Sequence, residues 1–348
     1  MRAVLCGYYG MGNGGDEALL ASLLQMLPDQ VTPVVLSGNP DLTRDRYGVE
    51  AVNRKDWQAI WFSLRKSQVF IWGGGSLMQD STSLASAAYY AGLMKLAQWM
   101  GLTTIAWAQG IGPLNRAITR WIARQTFAGC TAISVRDPGS MALLNSWGLK
   151  GLLAPDPVWA MAARSVNIEA LPPPRIAVNL RRHPLLTGPR LETLIQALRQ
   201  LQATTQASIL LLPFQQSQDL AIAQLVQSRL LGSSQILSYN DPQELKGVFR
   251  QVKMLISMRL HGLIMAAAEG CQCTALSYDP KVSQLMQQAA IPGWELAALP
   301  NEAVVISQEW LAQYRQQVPP PHTIRSSMIH QARLHQQLLH QVLAKTLA

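Results

Sequence analysis

Short apolar runs that stop at a glycine, an asparagine or a charged residue, each followed by a stretch of helical periodicity, recur along most of this chain. That alternation marks strand, loop, helix units and a parallel sheet, because parallel neighbours need a crossover between them and the crossover is usually a helix. In the first half the runs are 3–6, 34–36, 69–72, 104–108 and 132–135. Periodicity fades between Trp159 and Arg175, where Pro172, Pro173 and Pro174 follow one another as in a semi-rigid connector. The pattern restarts with runs at 176–180, 208–212, 236–237, 254–256 and 274–277. The expectation is an α/β chain of two doubly wound Rossmann-like domains, 1–165 and 175–320, followed by a helical segment, 321–348. A helix from about Thr323 to Leu347 would pack on the domains through Ile324, Met328, Ala332, Leu339, Val342 and Leu343. A length of 348 residues suits two cores. In such folds ligands bind at the carboxyl ends of the strands, which here predicts a cleft between the domains.

Composition narrows the partners. With 49% hydrophobic and 14% charged residues, the chain has material for both cores and none for solvated tails. Its net charge of +9, divided near Ser165, leaves a modest excess in each half, which suits an anionic small molecule or an anionic membrane surface. Duplex DNA would ask for a clustered basic stripe, so no nucleic acid is expected. Cys6, Cys130, Cys271 and Cys273 read as free thiols of a cytosolic protein. No second pair stands at ligand spacing from Cys271 and Cys273, and His330, His335 and His340 would rotate apart around a helix, so neither metal nor cofactor is expected. The stretch 83–102, interrupted by Lys95 and Gln98, reads as a buried helix rather than a membrane span. The opening residues lack the regions of a signal peptide, which predicts a cytoplasmic location, compatible with attachment to the inner membrane face and with a homo-oligomer.

The chemistry should lie in loops that follow strands. The loop from Gly7 to Ala18 formally carries a dinucleotide fingerprint at Gly10, Gly12 and Gly15. The second strand ends Val35-Leu36-Ser37-Gly38 without an acid for a ribose, and Asp16 and Glu17 stand where pyrophosphate would sit, which counts against a nicotinamide enzyme. Glu17 reads as a partner of the helix dipole and Asp16 as an acceptor for sugar hydroxyl protons beside a glycine-lined approach. Gly73, Gly74 and Gly75 imply close backbone approach, by a ligand or by tight helix packing. Arg136 closes a strand as an anion contact or as the partner of Asp137. Arg259 and His261, at a helix mouth next to Gly262, combine a guanidinium fork, an imidazole and backbone amides, which is a receptor for phosphate or carboxylate. Lys281 follows the next strand on the same rim, and Arg181 follows the first strand of the second half.

In order along the chain, Gly7-Tyr8-Tyr9-Gly10, Gly15-Asp16-Glu17-Ala18, Gly73-Gly74-Gly75, Arg136-Asp137, Pro155-Asp156-Pro157, Pro213-Phe214 and Arg259-Leu260-His261-Gly262 resemble polysaccharide pyruvyl transferases of the CsaB type. The resemblance implies two domains of the glycosyltransferase B kind. It also implies phosphoenolpyruvate as donor, a cell-surface polysaccharide or lipid-linked amino sugar as acceptor, and a pyruvate ketal with free phosphate as products. It places phosphoenolpyruvate on Arg259, Leu260, His261 and Lys281, with Arg136 as a further contact, and the acceptor on Gly10, Asn13, Asp16 and Gly74. His261 would transfer the proton to the donor and Asp16 would activate the hydroxyl.

Two other readings share parts of this pattern. A nucleotide-sugar glycosyltransferase would want a ribose-binding acid near the second rim, where Glu269 is the candidate. A non-catalytic saccharide-binding protein would want an aromatic groove, whereas most of the tryptophans fall at strand or helix positions that read as core.

Overall fold

The computed structural model describes residues 1–80, 83–168, 171–316 and 319–347. The chain separates into two compact units, 1–161 with 328–348, and 162–327. Glu169 and Ala170 of the expected connector lie outside the described residues.

Unit 1 runs β1 (Arg2–Cys6), α1 (Gly14–Met26), β2 (Thr32–Ser37), α2 (Pro40–Tyr47), β3 (Glu50–Asn53), α3 (Trp57–Arg65), β4 (Val69–Trp72), α4 (Leu84–Trp99), β5 (Thr103–Gln109), α5 (Ala117–Ala128), β6 (Ala132–Val135), α6 (Pro138–Ser146) and β7 (Leu152–Leu153). Its seven strands lie in the order β3-β2-β1-β4-β5-β6-β7, all parallel. Unit 2 runs β8 (Arg175–Asn179), α7 (Gly188–Thr205), β9 (Ser208–Leu211), α8 (Gln216–Arg229), β10 (Ser234–Ile236), α9 (Pro242–Val248), β11 (Met254–Ser257), α10 (Leu260–Ala268), β12 (Gln272–Ser277), α11 (Pro280–Gln288), β13 (Gly293–Glu295) and α12 (Ala303–Gln316). Its six strands, in the order β10-β9-β8-β11-β12-β13, are likewise parallel. The winding direction reverses once in each unit, between β1 and β4 and between β8 and β11, and such a reversal opens a crevice at the strands' carboxyl ends.

Four helices begin on one local device. Asn39-Pro40, Asp137-Pro138, Asp241-Pro242 and Asp279-Pro280 each place a side-chain acceptor at the cap and a preset φ at the first helical position, and the caps accept from Leu42, Ser140, Gln243 and Lys281. Asp137 is therefore a helix cap rather than the partner of Arg136.

Along the strands of unit 1 successive side chains serve different layers. Val4, Cys6, Val34, Leu36, Phe70 and Trp72 face a layer made by α3, α4, α5 and α6. Ala3, Leu5, Val35, Val69, Ile71 and Trp107 face α1 and the last helix of the chain. Two expectations need correction here. Stretch 83–102 is not a buried helix throughout, because one side of α4 is exposed. Nor are the tryptophans mostly core: Trp72, Trp107, Trp159 and Trp310 are buried, while Trp57, Trp61, Trp99 and Trp121 are exposed. No helix among the described residues is long and apolar enough to cross a membrane.

The C-terminal segment forms two helices, α13 (His322–Ala332) and α14 (Leu334–Leu347), rather than one. Ala332, Leu339 and Leu343 are buried as expected from the pattern, whereas Ile324, Met328 and Val342 are half-buried. The pattern does not reveal His335, which is fully buried. Ser134 Oγ receives the Ala108 N–H at 2.8 Å and lies 2.9 Å from His335 Nδ1, and Nε2 lies 3.0 Å from the Pro155 carbonyl. A carbonyl only accepts, so Nε2 carries the hydrogen and Nδ1 accepts from Ser134. The ring meets Trp107 edge-on at 5.7 Å, and the Trp107 indole donates to the His335 carbonyl. This neutral imidazole pins α14 to β5 and β6.

Burial holds the pKa of His335 down at about 4, although Asp156 opposes the shift. A depressed histidine stabilises the fold fully above its unfolded value of about 6.5, and the stabilisation falls as pH drops toward 4, because the unfolded chain takes the proton first. The expected loss between pH 7 and pH 5 is about 2 kcal/mol. Urea unfolding of wild type and His335→Asn at both pH values checks it. The stability gap between them should narrow by about that amount at pH 5, and an unchanged gap refutes the assignment.

Candidate functional site

At the winding reversal of unit 2, β8 delivers Arg181 and the adjoining β11 delivers Arg259 and His261. Asp219, in the first turn of α8, organises the site and has no exposed surface. Its Oδ2 accepts the backbone N–H groups of Phe214 and Gln215 at 3.0 Å and Arg259 Nε at 3.2 Å, while Oδ1 accepts Arg259 Nη2 at 2.5 Å. A buried carboxylate is tolerable when donors surround it and a cation faces it, and here both conditions hold. The pair fixes the guanidinium plane of Arg259, which is also the N-cap residue of α10 and makes no side-chain cap bond, so the start of that helix stands beside a positioned cation.

The residues around this pair explain the local sequence. Ser257 Oγ accepts the Arg259 N–H at 3.0 Å and lies 3.2 Å from Asn179 Oδ1. A Cβ on Gly262 would stand 3.0 Å from Ser257 Oγ and 3.4 Å from the Phe214 ring, so the Pro213-Phe214 and Arg259-to-Gly262 motifs pack on one another. Arg181 lies over the Tyr278 ring at 5.0 Å, gives Nη1 to the Tyr278 hydroxyl at 2.7 Å and Nη2 to Gln218 at 2.6 Å, and keeps its buried Nε without an acceptor. His261 and Lys281 are half-buried, the latter in the first turn of α11 beyond β12, the strand next to β11. Unit 2 thus brings together Arg259, Leu260, His261 and Lys281. Sequence reasoning left Arg181 unassigned and missed Asp219, Gln218 and Tyr278. The only signal for Asp219 was an acid in the first turn of a helix that follows a strand.

Arg136 belongs to unit 1. Its Nη1 meets Asp156 Oδ2 at 2.6 Å and its Nη2 lies 3.4 Å from Ser76 Oγ, with both members of the ion pair buried. The Arg136-Asp137 and Pro155-Asp156-Pro157 motifs therefore meet as an internal pair behind the glycine loop.

At the winding reversal of unit 1, the loops after β1 and β4 converge. Asn13 caps α1 by accepting the Gly15 N–H. Gly10 has φ +68°, and a Cβ there would stand 2.0 Å from Ser37 Oγ. Glu17 is structural: its Oε1 accepts the Gly10 N–H at 2.8 Å and its Oε2 lies 3.2 Å from Arg46 Nη1. Burial raises its pKa against these partners. At Gly73 a Cβ would meet the Tyr9 hydroxyl at 1.6 Å, and at Gly74 the Leu19 side chain at 2.8 Å, so the chain's own residues supply a packing reason for both glycines. Gly75, with φ +130°, stands next to half-buried Asp16, whose Oδ1 is 3.5 Å from the site of a Cβ there. Gln109, fully buried, ties these loops by donating to the Gly73 carbonyl at 2.7 Å.

Glu269, the candidate ribose ligand, is engaged elsewhere: its Oε2 meets Arg250 Nε at 2.5 Å and its Oε1 lies 3.7 Å from Lys246 Nζ. The four cysteines are free and their thiols are pushed up by burial, Cys6 and Cys130 to about 12. Among the described residues no group of three or more His, Cys, Asp or Glu is placed to hold a metal.

Among solved structures the chain is similar to a putative UDP-N-acetylglucosamine 2-epimerase from Listeria monocytogenes, with TM-score 0.66, 10% identity, and coverage of 98% of this chain and 95% of that one. A UDP-GlcNAc 2-epimerase from Neisseria meningitidis bound to UDP-GlcNAc gives TM-score 0.66 at 10% identity, over 98% of this chain and 100% of that one. A glycosyltransferase from Rickettsia africae gives TM-score 0.53 at 13% identity, over 99% and 96%. At such identities the likeness is one of fold, the paired parallel-sheet architecture of the glycosyltransferase B type. No curated protein matches the chain. The polysaccharide pyruvyl transferase family model matches residues 13–280, and the chain belongs to that family.

Proposed function

We propose that the protein is a cytoplasmic enzyme that transfers the pyruvyl group of phosphoenolpyruvate to a cell-surface polysaccharide or lipid-linked amino sugar, as a ketal, with release of phosphate. The observation that carries this reading is the cationic cluster at the β8–β11 reversal, where Arg259 is oriented by Asp219 beside Arg181, His261 and the start of α10. Phosphoenolpyruvate bears a phosphate and a carboxylate, and oriented cations and helix amides bind both. Asp219 takes Nε and one N–H of Nη2, and Gln218 Oε1 lies 3.5 Å from Nη2, so the N–H groups of Nη1 are the ones assigned to the ligand. Arg136 is kept as an indirect contributor, through Ser76 and the Gly75 loop. Glu269 weighs against the nucleotide-sugar reading because its carboxylate is already in an ion pair.

The chemistry assigned to these residues balances. His261 gives a proton to the donor methylene carbon, and the adjacent carbon becomes cation-like and is attacked by a first sugar hydroxyl. A second hydroxyl then displaces phosphate with cleavage of the carbon–oxygen bond. The first hydroxyl proton passes by way of Asp16 to solvent, from which His261 regains its own, and the second leaves with phosphate. Asp16 accepts the proton of the attacking hydroxyl, with Gly10, Asn13 and Gly74 lining the acceptor. Arg259 and Lys281 stabilise the departing phosphate.

Phosphate release from phosphoenolpyruvate with a panel of lipid-linked amino sugars is the direct assay. Phosphoenolpyruvate, but not UDP-sugars, should raise the unfolding temperature, and the reverse result sinks the donor assignment. His261→Ala should lower turnover about 100-fold or more with an unchanged unfolding temperature, whereas full activity in that variant removes His261 from the mechanism. Arg259→Lys keeps the buried charge opposite Asp219 but loses the fork, so KM for phosphoenolpyruvate should rise about 10-fold to 100-fold while the fold persists. An unchanged KM excludes a donor contact.

A further inference from the structure

The chain's positive charge is more concentrated than its two halves suggest. Residues 54–136 hold nine Lys and Arg against two Asp, whereas residues 1–53 hold three against six Asp and Glu. The two acids of the basic stretch both sit at helix starts: Asp56 accepts the Ala59 N–H at 3.0 Å to cap α3, and Asp80 accepts the N–H groups of Asn115 and Arg116 at 2.8 Å ahead of α5, beside the Arg116 charge. Between Asp80 and Asp137 there is no acidic residue.

This stretch builds α3, α4 and α5, which cover one face of the unit 1 sheet. Trp57 at the head of α3 meets Tyr89 of α4 edge-on at 6.0 Å, and Lys95 of α4 donates to the Gln125 carbonyl of α5 at 2.7 Å, so the three helices form one continuous outer surface. That surface carries every exposed aromatic side chain among the large exposed hydrophobics of the chain: Trp57 at 58%, Trp61 at 38%, Phe62 at 59%, Trp99 at 78% and Trp121 at 59%. Ile118, 56% exposed, adds to it. Helix α4 departs furthest from a water-facing helix. Its exposed positions are Leu84, Ala85, Ala88, Gly92, Lys95 and Trp99, where a soluble helix would show a polar side. Interleaved on the same surface are the exposed cations Arg65, Lys66, Lys95, Arg116, Arg120 and Arg124.

We infer that the α3–α4–α5 face of unit 1 docks on an anionic phospholipid bilayer. Tryptophan and phenylalanine side chains favour the headgroup boundary, and Lys and Arg beside them draw the surface to negative headgroups while their stems lie among the apolar side chains. A second copy of the chain is disfavoured as occupant by charge. A two-fold interface would set the same patch against itself, and this patch is net cationic, with nine Lys and Arg against two Asp over residues 54–136. The inference stands on unit 1 alone and does not depend on the donor or the acceptor.

Co-sedimentation of the full chain with vesicles tests it. The protein should pellet with phosphatidylcholine vesicles doped with phosphatidylglycerol and remain in the supernatant with phosphatidylcholine alone, and high salt should release it. Arg120→Glu with Arg124→Glu should lower the partition coefficient about 30-fold or more, and Trp99→Ser with Trp121→Ser about 10-fold or more. All four positions are exposed, so both variants should keep the wild-type unfolding temperature, and the salt dependence of the wild type needs no variant. Failure to pellet with phosphatidylglycerol vesicles, equal pelleting with phosphatidylcholine alone, or wild-type binding by the arginine variant overturns the inference. So does a dimer in sedimentation velocity that the tryptophan variant dissolves without any vesicle binding.

Discussion

A carboxylate with no exposed surface governs unit 2. Asp219 takes two backbone N–H groups from the loop after β9 and two guanidinium N–H groups from the cap of α10, so the loops after two strands are tied at one charged point. Removing one member of a buried pair costs about 3 to 5 kcal/mol, because the other charge is left without a partner in a poorly solvating medium. The arrangement therefore keeps a cation where water would otherwise exclude one, and holds it in a fixed plane. A ligand with two anionic groups gains from such a plane because little reorganisation accompanies binding. Arg181 is held nearby by different means, a ring face and neutral acceptors, and so keeps its full charge for the site.

Unit 1 uses the same winding reversal with the opposite polarity. Asp16 and Glu17 open α1 there, Glu17 is paired with Arg46, and the loops after β1 and β4 are drawn together by packing and by Gln109. Tyr9 is fully buried, its hydroxyl has no hydrogen-bond partner, and its pKa stands well above the ordinary phenol value, mainly from burial. The hydroxyl occupies the space that a side chain at position 73 would need, so the glycine and the tyrosine form one fitted contact between the loops after β1 and β4. In the function proposed above, the sugar meets the outer part of the loops, where Asp16 and Gly75 lie together.

These particulars show what could be read from sequence. Both sheets were legible because parallel strands buried on both faces are nearly continuous apolar runs, as Val69–Trp72 and Met254–Ser257 show. Edge strands β3, β7 and β13 escaped: their residues are half exposed, so Glu50-Ala51-Val52-Asn53 does not stand out from a loop. Arg259 and His261 were legible because a charged residue after an apolar run, at a helix mouth, has few structural explanations. Asp219 was not, since an acid in the first turn of a helix is ordinary until its depth is known. His335 was missed for the converse reason. A histidine in a polar helical tail gives no sign that a serine hydroxyl and a proline carbonyl wait on either side of its ring.

The tryptophans show the limit most plainly. Trp72 and Trp99 are the same residue type in equally apolar surroundings, yet one is sealed beneath the helices and the other is the most exposed aromatic of the chain. Burial of a large side chain is favoured by about 25 cal/mol per Å² of apolar area, so an exposed indole is retained only where something other than monomer stability keeps it. On α4 the usual polar face is absent, and on α5 the exposed cations Arg120 and Arg124 lie on the same outer surface. Other cations of the unit meet carboxylates, Arg2 with Glu50, Arg46 with Glu17 and Arg136 with Asp156. On α3, α4 and α5 exposed cations and exposed indoles share one surface, and a negatively charged layer with an apolar interior is the environment that satisfies both.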